Sequence, residues 1–282
     1  MGLRHAKCVA AHPRAQLTAA VEVDPTRATV DIGCPVFSDV AMLAGKIDAA
    51  VVAVPTAFHA PIAAPLLEAG ISCLVEKPFV ATAAEGKRLE DAAERGNATV
   101  RVGHIERFNP AMIALLADRP QGILAVQARR MSGASARVTD IDVVADLMVH
   151  DLDSVLAIVK QPVLSVTAAG TRDHAVASIT FADRTTATVT ASRVSPARIR
   201  DLDVLCTDRA LRLDYLGRTL SEVTPGPNAP HIMPRHVASN DALTLQLSAF
   251  LDAREGKTAG VTLDEAMSVM DLAWRVQAAL GL

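Results

Sequence analysis

The sequence predicts an α/β protein with two domains: a parallel, doubly wound sheet over residues 1–104, and an α+β domain with a largely antiparallel, open sheet over residues 105–282. Apolar strands alternate with helical segments up to Gly103, which is typical of β-α-β units with right-handed crossovers. From Val163 to Leu220, polar and apolar residues alternate, which is the period of an antiparallel sheet with one covered face. A chain of 282 residues that is 50% hydrophobic can build a core for each domain.

Local signals define the helices and strands of the first domain. Gly70 ends one helix, and Thr82 with Glu85 forms a capping box at the start of another. The segment 48–54 is continuously apolar, as expected for a strand that helices cover on both faces. In chain order the predicted elements are a helix over 1–13, strands over 17–23 and 48–54, a helix over 59–69, a strand over 72–75, a helix over 82–96 and a strand over 99–102.

The second domain begins with a helix that follows Asn109, because Pro110 occupies a favoured first helical position. A strand over 123–130 and a helix over 143–159 come next, before the alternating strands of 163–220. A proline-rich loop over 224–234 leads to helices over 241–255 and 263–280.

The N-terminal helix and strand resemble the second half of a Rossmann dinucleotide-binding unit, in which a strand and a G-x-G-x-x-G turn precede the helix. Gly2 occupies the position of the third glycine, so we expect Gly2 and Leu3 to contact the cofactor. In this sequence the domain would lack its first strand and most of the glycine-rich turn. We expect Met1 to be an internal methionine of a longer protein; the alternative is a chain that has lost half of its phosphate cradle.

Glu22 lies at the end of the second strand of this unit. An acid at that position accepts hydrogen bonds from the adenosine ribose and repels the extra phosphate of NADP. The sequence therefore predicts NAD as the cofactor, with NADP less favoured. The alternative is a solvated acid at the end of a strand.

Two further groups of polar residues lie where this fold carries its chemistry. Glu76-Lys77-Pro78 follows an apolar strand, and open α/β sheets bind ligands at the carboxyl ends of their strands. Burial makes the pKa of a lysine there tunable, so it can act on a substrate hydroxyl. Asp146 and His150 are four residues apart, so a helix would bring the carboxylate beside the imidazole, as a general base requires. The alternative is a helix N-terminal acid and a core histidine.

Composition excludes several other functions. A net charge of −3 lacks the basic footprint of a nucleic-acid binder, and no apolar run reaches the roughly 18 residues of a membrane span. The four cysteines lie far apart without a C-x-x-C motif, so we expect thiols in a reducing cytoplasm. A third ligand beside Asp146 and His150 is not evident, so no metal is expected.

Three motifs in this order, Pro55-Thr-Ala-Phe-His59, Glu76-Lys77-Pro78 and the Asp146/His150 helix, resemble the glucose-fructose oxidoreductase/inositol dehydrogenase/MocA (Gfo/Idh/MocA) family. The resemblance covers essentially the whole chain and implies oxidation of a sugar or cyclitol hydroxyl by a nicotinamide cofactor. It implies a homodimer or homotetramer that packs through the open sheet. It assigns the catalytic residues to Lys77, Asp146 and His150. It assigns cofactor contacts to Pro55, Thr56, His59, Glu76, Lys77 and Pro78.

The segments Gly103-His-Ile-Glu-Arg-Phe-Asn-Pro110 and Asp146-Leu-Met-Val-His-Asp-Leu-Asp153 resemble, more narrowly, the subgroup that oxidises the 3-hydroxyl of UDP-N-acetylglucosamine. Arg107 and Asn109, just past the last strand of the first domain, are predicted to contact the substrate or the nicotinamide, and His150 is predicted to contact the substrate. Asp151 and Asp153 are interpreted as caps or ion-pair partners. Arginines that could meet a diphosphate are Arg129, Arg130, Arg137, Arg193, Arg198 and Arg200.

Three alternatives remain open at this stage. The chain could oxidise a free sugar, or it could oxidise inositol or another cyclitol, since the same family implies these activities. It could instead be a non-catalytic, cofactor-binding regulator or a truncated remnant. The presence of Lys77, Asp146 and His150 together argues against the regulator, whereas the incomplete phosphate cradle argues for the remnant.

Overall fold

The structure, a computed structural model, describes residues 1–43, 45–133 and 141–282. The chain divides into two compact units. The first comprises Met1–His104 with Leu243–Met267, and the second comprises Ile105–Ala242 with Ser268–Leu282. Within these described ranges, no helix is both long and apolar enough to cross a membrane.

The first unit alternates helices with short parallel strands. Its capping box at Thr82 and Glu85 is present, and Gly70 has a φ of 79° just beyond a helix end, so both boundary predictions are confirmed. The elements are α1 (Gly2–Ala11), β1 (Ala20–Val21), β2 (Val36–Phe37), β3 (Ala49–Val52), α2 (His59–Glu68), β4 (Ser72–Glu76), α3 (Ala83–Gly96) and β5 (Val100–Gly103).

These parallel strands form two sheets. β1 pairs with β2, and β3, β4 and β5 form a separate three-stranded sheet in that order. In the Rossmann order 3-2-1-4-5-6, strand 1 lies between strands 2 and 4. Strand 1 precedes the first helix of the fold, and strand 2 follows that helix. The interruption between β1 and β3 falls at the position of strand 1.

The interruption corrects two predictions. The strand predicted over 17–23 is reduced to Ala20–Val21, and Val23 is 79% exposed. β3 was expected to be covered on both faces, yet Ala49–Val51 are only half-buried, whereas every residue of β4 is buried. The physical reason is that β3 is an edge strand with one paired neighbour, whereas β4 has two.

A helix from the distant part of the chain completes the first unit. In α6 (Ala242–Arg254), the side chains of Leu247, Phe250 and Leu251 pack with Leu74 of β4 in one hydrophobic cluster. Residues 243–267 therefore group with the first compact unit, whereas the sequence assigned them to the domain over 105–282.

The second unit is built on an eight-stranded mixed sheet with the order β13-β12-β11-β10-β6-β9-β8-β7. The pairings are antiparallel except for β6 with β9, so the predicted largely antiparallel sheet is confirmed. Its strands are β6 (Ile123–Met131), β7 (Val163–Gly170), β8 (His174–Phe181), β9 (Thr186–Ser192), β10 (Ile199–Cys206), β11 (Ala210–Asp214), β12 (Thr219–Thr224) and β13 (His231–Arg235). Its helices are α4 (Pro110–Asp118), α5 (Val149–Val159) and α7 (Leu263–Leu280), whose first residues belong to the first unit.

Two predictions for this unit need correction. The segment 224–234, expected to be a loop, includes most of strand β13, and Pro234 is accommodated because β13 is an edge strand. The helix expected over 143–159 begins as a π-helical turn over Val144–Met148 and becomes α-helical at Val149. Asp146 therefore lies on a wider turn than the predicted spacing assumed.

Candidate functional site

The end of β4 carries a buried carboxylate beside the candidate lysine. Glu76 Oε1 lies 2.7 Å from His5 Nε2 of α1, and the backbone N–H of Lys77 donates to Glu76 Oε2 at 3.2 Å. A Cβ added to Gly103 would lie 3.1 Å from the same carboxylate, so a larger residue there would require Glu76 to shift by a few tenths of an ångström. These contacts fix the backbone from which Lys77 projects; the Lys77–Pro78 peptide is cis.

His59 connects the loop after β3 with the loop after β4. Its Nδ1 lies 3.0 Å from the Phe79 carbonyl, its Nε2 lies 2.9 Å from the Val54 carbonyl, and the residue is fully buried. Because carbonyl oxygens engage both ring nitrogens, His59 supports the turn that carries Pro55 and Thr56, and its direct contact with the cofactor stays a prediction.

The N-terminus of α1 has the features of an anion site for a dinucleotide. The amides of Gly2 and Leu3 lack intrahelical acceptors because they begin the helix. The N-cap residue, Met1, makes no side-chain hydrogen bond to them, so they can donate to an anion. A Cβ at Gly2 would meet nothing within 4 Å. Glu22 follows β1, and its Oε1 accepts the Asp24 N–H at 3.0 Å, which holds the carboxylate at the end of the strand. This chemistry is compatible with the ribose and phosphate groups of a dinucleotide.

In the second unit, the π-helical turn that carries Asp146 is held from two sides. Asp142 Oδ1 accepts the N–H groups of Val144 and Ala145, and its Oδ2 accepts the Gln277 amide at 2.6 Å. From the end of β9, Arg193 Nη1 lies 3.7 Å from Asp146 Oδ2.

Arg193 is itself fixed, because it donates to Asp173 Oδ1 at 2.9 Å and to the Ile141 carbonyl at 2.9 Å. The sequence had assigned Arg193 only to a group of possible phosphate ligands. The structure instead makes it a partner of the candidate orienting carboxylate Asp146.

A buried cluster of charged residues holds the first turn of α5, the turn that contains His150. Arg130 is 1% exposed; its Nε and Nη2 donate to both oxygens of Asp151 at 2.8 and 2.9 Å, and its Nη1 donates to Glu106 at 2.8 Å. Burial lowers the pKa of Arg130, but the charges of Asp151 and Glu106 outweigh it, so the net direction is upward and the guanidinium stays charged. Asp153 accepts from Arg107 Nε at 2.9 Å. The interpretation of Asp151 and Asp153 as ion-pair partners is confirmed.

A relay of hydroxyl groups holds the backbone of His150. The Tyr215 hydroxyl donates to Ser154 Oγ at 2.8 Å, and the Ser154 hydroxyl donates to the His150 carbonyl at 3.1 Å. The Arg130 guanidinium lies 5.3 Å from the centre of the Tyr215 ring. Burial raises the pKa of Tyr215, so its phenol stays protonated and remains a donor. These contacts hold the backbone of His150 in the first turn of α5.

The side chain of Asn109 makes hydrogen bonds to other residues of the second unit. Its Oδ1 caps α4 by accepting the Ala111 N–H at 3.1 Å, and its Nδ2 donates to Glu106 at 3.3 Å and to the Tyr215 carbonyl at 3.2 Å. The amide therefore serves the fold with both of its donors, and the predicted substrate contact stays a prediction. Arg107, with a side chain 15% exposed, combines its ion pair to Asp153 with a partly accessible guanidinium.

The predicted residues therefore form two groups, one in each unit. Gly2, Leu3, Glu22 and the two motif segments over 55–59 and 76–78 belong to the first unit. Asp146, His150, Arg107 and Asn109 belong to the second. Among the residues that the structure describes, no three His, Cys, Asp or Glu side chains gather as a metal site would require.

Comparisons with known proteins agree with this architecture. A family model described as an oxidoreductase family with an NAD-binding Rossmann fold, GFO_IDH_MocA, matches residues 1–104. UDP-N-acetylglucosamine 3-dehydrogenase from Acidithiobacillus ferrooxidans is 32% identical over 238 residues, which cover 79% of this chain and 75% of that protein. The chain belongs to the Gfo/Idh/MocA oxidoreductase family. The family assignment from the motifs is confirmed.

Solved structures and other relatives extend the comparison. The structure of the same Acidithiobacillus enzyme matches with a TM-score of 0.93 and 29% identity, covering 99% of this chain and 94% of that one. Levoglucosan dehydrogenase in complex with NADH shares the fold, with a TM-score of 0.87 at 18% identity and coverage of 100% and 94%. Inositol 2-dehydrogenase from Acidothermus cellulolyticus is 33% identical over 153 residues, which are 50% of this chain and 45% of that protein.

Proposed function

We propose that this member of the family is an NAD-dependent dehydrogenase that oxidises the 3-hydroxyl of a UDP-N-acetylhexosamine. The observation that carries the proposal is the similarity to UDP-N-acetylglucosamine 3-dehydrogenase from Acidithiobacillus ferrooxidans, which extends over both units at a TM-score of 0.93. The buried residues around His150 support it, because they hold the backbone of a candidate general base.

For the cofactor, we propose NAD rather than NADP. The amides of Gly2 and Leu3 would hold phosphate oxygens, and Glu22 would accept the ribose hydroxyls. Glu22 would also repel a 2′-phosphate. A ratio of kcat/KM for NAD over NADP above one is expected for the wild type, and Glu22→Ala should lower it. An unchanged ratio in the variant would remove Glu22 from cofactor selection.

The roles in the reaction follow from the chemistry of the residues. When NAD is bound, it supplies a hydride acceptor for the carbon that carries the hydroxyl. His150 takes the hydroxyl proton as general base while the carbon–oxygen bond becomes a carbonyl. Asp146 orients His150, and Lys77 polarises the reacting oxygen.

A substrate panel tests the proposal. Purified protein with NAD is offered UDP-N-acetylglucosamine, UDP-N-acetylgalactosamine, N-acetylglucosamine, glucose and myo-inositol, and NADH is followed at its absorbance maximum. We expect turnover of a UDP-N-acetylhexosamine and little turnover of the free sugars. Turnover of myo-inositol or of a free sugar in preference to both UDP-sugars would overturn the substrate assignment.

Oxidation of inositol is the second candidate, because inositol 2-dehydrogenases are 27% and 33% identical over about half of the chain. Those matches span 49% and 45% of the relatives' own lengths, whereas the UDP-sugar enzyme is matched over 75% of its length. The first candidate is therefore favoured.

We also propose a homo-oligomer that packs through the face of the large sheet opposite its buried residues. A row of exposed side chains crosses four paired strands on this face: Thr167, Ser178, Thr188 and Gln127. Light scattering should give a dimer or tetramer for the wild type, and Ser178→Arg should shift it toward the monomer. A wild-type monomer would contradict the proposal. Because its widely spaced cysteines are expected to be thiols, we place the enzyme in the reducing cytoplasm.

A further inference from the structure

The arginines that the sequence offered as phosphate ligands differ in what they contact. Three of them are bound to carboxylates of the second unit: Arg129, Arg130 and Arg193. Arg137 lies outside the described residues. Arg198 is exposed, which leaves Arg200 as the case of interest.

Arg200 is a partly buried cation that has no hydrogen-bonded acid among the residues that the structure describes. It lies on β10 opposite Arg130 of β6, so both side chains are on the helix-covered face of the sheet. Its side chain is 29% exposed, and its Nε is buried with no hydrogen-bond partner among the described residues. Glu106 Oε1 lies 3.9 Å from Arg200 Nη1, and this oxygen already accepts from Arg130 at 2.8 Å.

This arrangement is unfavourable in the free protein. A buried donor without an acceptor carries its full desolvation cost, and the cost is greater for a charged group. Burial, followed by the nearby positive charge of Arg130, lowers the pKa of Arg200. The positive charge of Arg198 also lowers this pKa, whereas the charges of Glu106 and Asp151 raise it without reversing the direction. An anionic ligand would relieve both the repulsion and the missing hydrogen bond.

The position of Arg200 connects it to the candidate general base. Its cross-strand neighbour Arg130 binds both oxygens of Asp151, and Asp151 follows His150 directly. These residues all belong to the second unit. An anion bound by Arg200 would therefore lie on the same side of the sheet as the turn that presents His150.

We propose that Arg200, with Arg198 beside it, binds an oxyanion of the substrate, namely a phosphate of a nucleoside diphosphate. The proposal rests on the proposed function, since it assigns the substrate's diphosphate to particular residues. Guanidinium suits this contact because its planar donors can meet two phosphate oxygens at once. A sugar carboxylate has similar chemistry, so the probes must distinguish the two sources.

Calorimetry with UDP, uridine and glucuronate tests the assignment. Arg200→Gln should weaken UDP binding by about 10- to 100-fold, the loss expected for a charge-assisted hydrogen bond. Uridine binding should not change, and the KM for the UDP-sugar should rise more than kcat falls. Arg200→Lys keeps the charge but loses the planar fork, so its affinity for UDP should lie between those of the wild type and Arg200→Gln.

Arg212→Gln is the matched control, because Arg212 is an exposed arginine on β11 of the same sheet, paired with Asp203 on the outer face. It should bind UDP as the wild type does. NADH binding and circular dichroism establish that each variant is folded, and Arg200→Lys keeps the test decisive should Arg200→Gln unfold.

The outcomes separate the two proposals. An unchanged Kd for UDP in Arg200→Gln and Arg200→Lys, with UDP-sugar turnover intact, overturns the role of Arg200 and leaves the proposed function standing. If the wild type binds glucuronate but not UDP, and Arg200→Gln weakens the binding of glucuronate, then Arg200 binds a carboxylate and the diphosphate assignment is overturned. A folded wild type that neither binds UDP nor oxidises a UDP-sugar overturns both.

Discussion

Asp151→Ala provides the sharpest test of the cluster that supports His150. The change removes the bidentate partner of Arg130, which is 1% exposed and cannot reach water without repacking. Removing one member of a buried ion pair costs about 3–5 kcal/mol, because the other charge is left uncompensated. Glu106 still accepts one bond from Arg130, so we expect the lower half of that range, about 3–4 kcal/mol. At about 2–4 °C per kcal/mol for a unit of this size, the melting temperature should fall by about 6–16 °C.

Differential scanning calorimetry and urea unfolding measure this loss. Asp208→Ala is the control, since Asp208 is an exposed acid in the same unit, and its change should stay within about 0.5 kcal/mol. The double variant Arg130→Met/Asp151→Leu removes both charges and should recover much of the stability, as apolar replacements of buried pairs do. A loss below 1 kcal/mol in Asp151→Ala, or a double variant less stable than the single one, would refute the reasoning.

Three further predictions follow from the site. His150→Ala should lower kcat by about 10²–10⁴ with NADH binding intact, and unchanged turnover in steady-state assays would exclude His150 as the base. The raised pKa of Tyr215 means that the unfolded phenol ionises first, so stability should fall above pH ~10. In thermal melts against pH, Tyr215→Phe should remove part of that loss; an identical alkaline profile would contradict the prediction. Gly103→Ala should cost about 1–3 kcal/mol by crowding the Glu76 carboxylate, and an unchanged melting temperature would show that the site tolerates the methyl group.

Local signals in the sequence predict much of the fold. The capping box at Thr82, the proline at position 110 and the glycine at position 70 each act within one turn of chain, so the helix boundaries they define agree with the structure. The extents of β1 and β3 could not be predicted in this way. Their lengths and burial depend on which strand pairs beside them, and this is a property of the assembled sheet.

The candidate site likewise combines features that local sequence signals predict with features that depend on the assembled fold. Spacing and resemblance predict Lys77 and His150 as site residues, but the groups that hold their backbone could not be predicted from the sequence. His5 and Glu76 are 71 positions apart, and their contact depends on how α1 packs near the end of β4. A signal for Arg193 did exist, because the β8–β9 hairpin register brings position 193 opposite Asp173.

Two predicted contacts stay untested, those of His59 with the cofactor and of Asn109 with the substrate. The structure adds that both side chains also make hydrogen bonds within the fold. A family motif can mark a residue that shapes a turn as readily as one that touches a ligand. Spacing alone does not distinguish the two.

Isotope transfer tests the proposed reaction most directly. The wild-type protein is incubated with NAD and UDP-N-acetylglucosamine that carries deuterium at carbon 3, and the nicotinamide and sugar products are examined by NMR and mass spectrometry. We predict that deuterium appears in the NADH and that the sugar nucleotide becomes a 3-keto product. NADH without deuterium, or no reaction by protein that binds NADH, would contradict the proposed oxidation at the 3-hydroxyl.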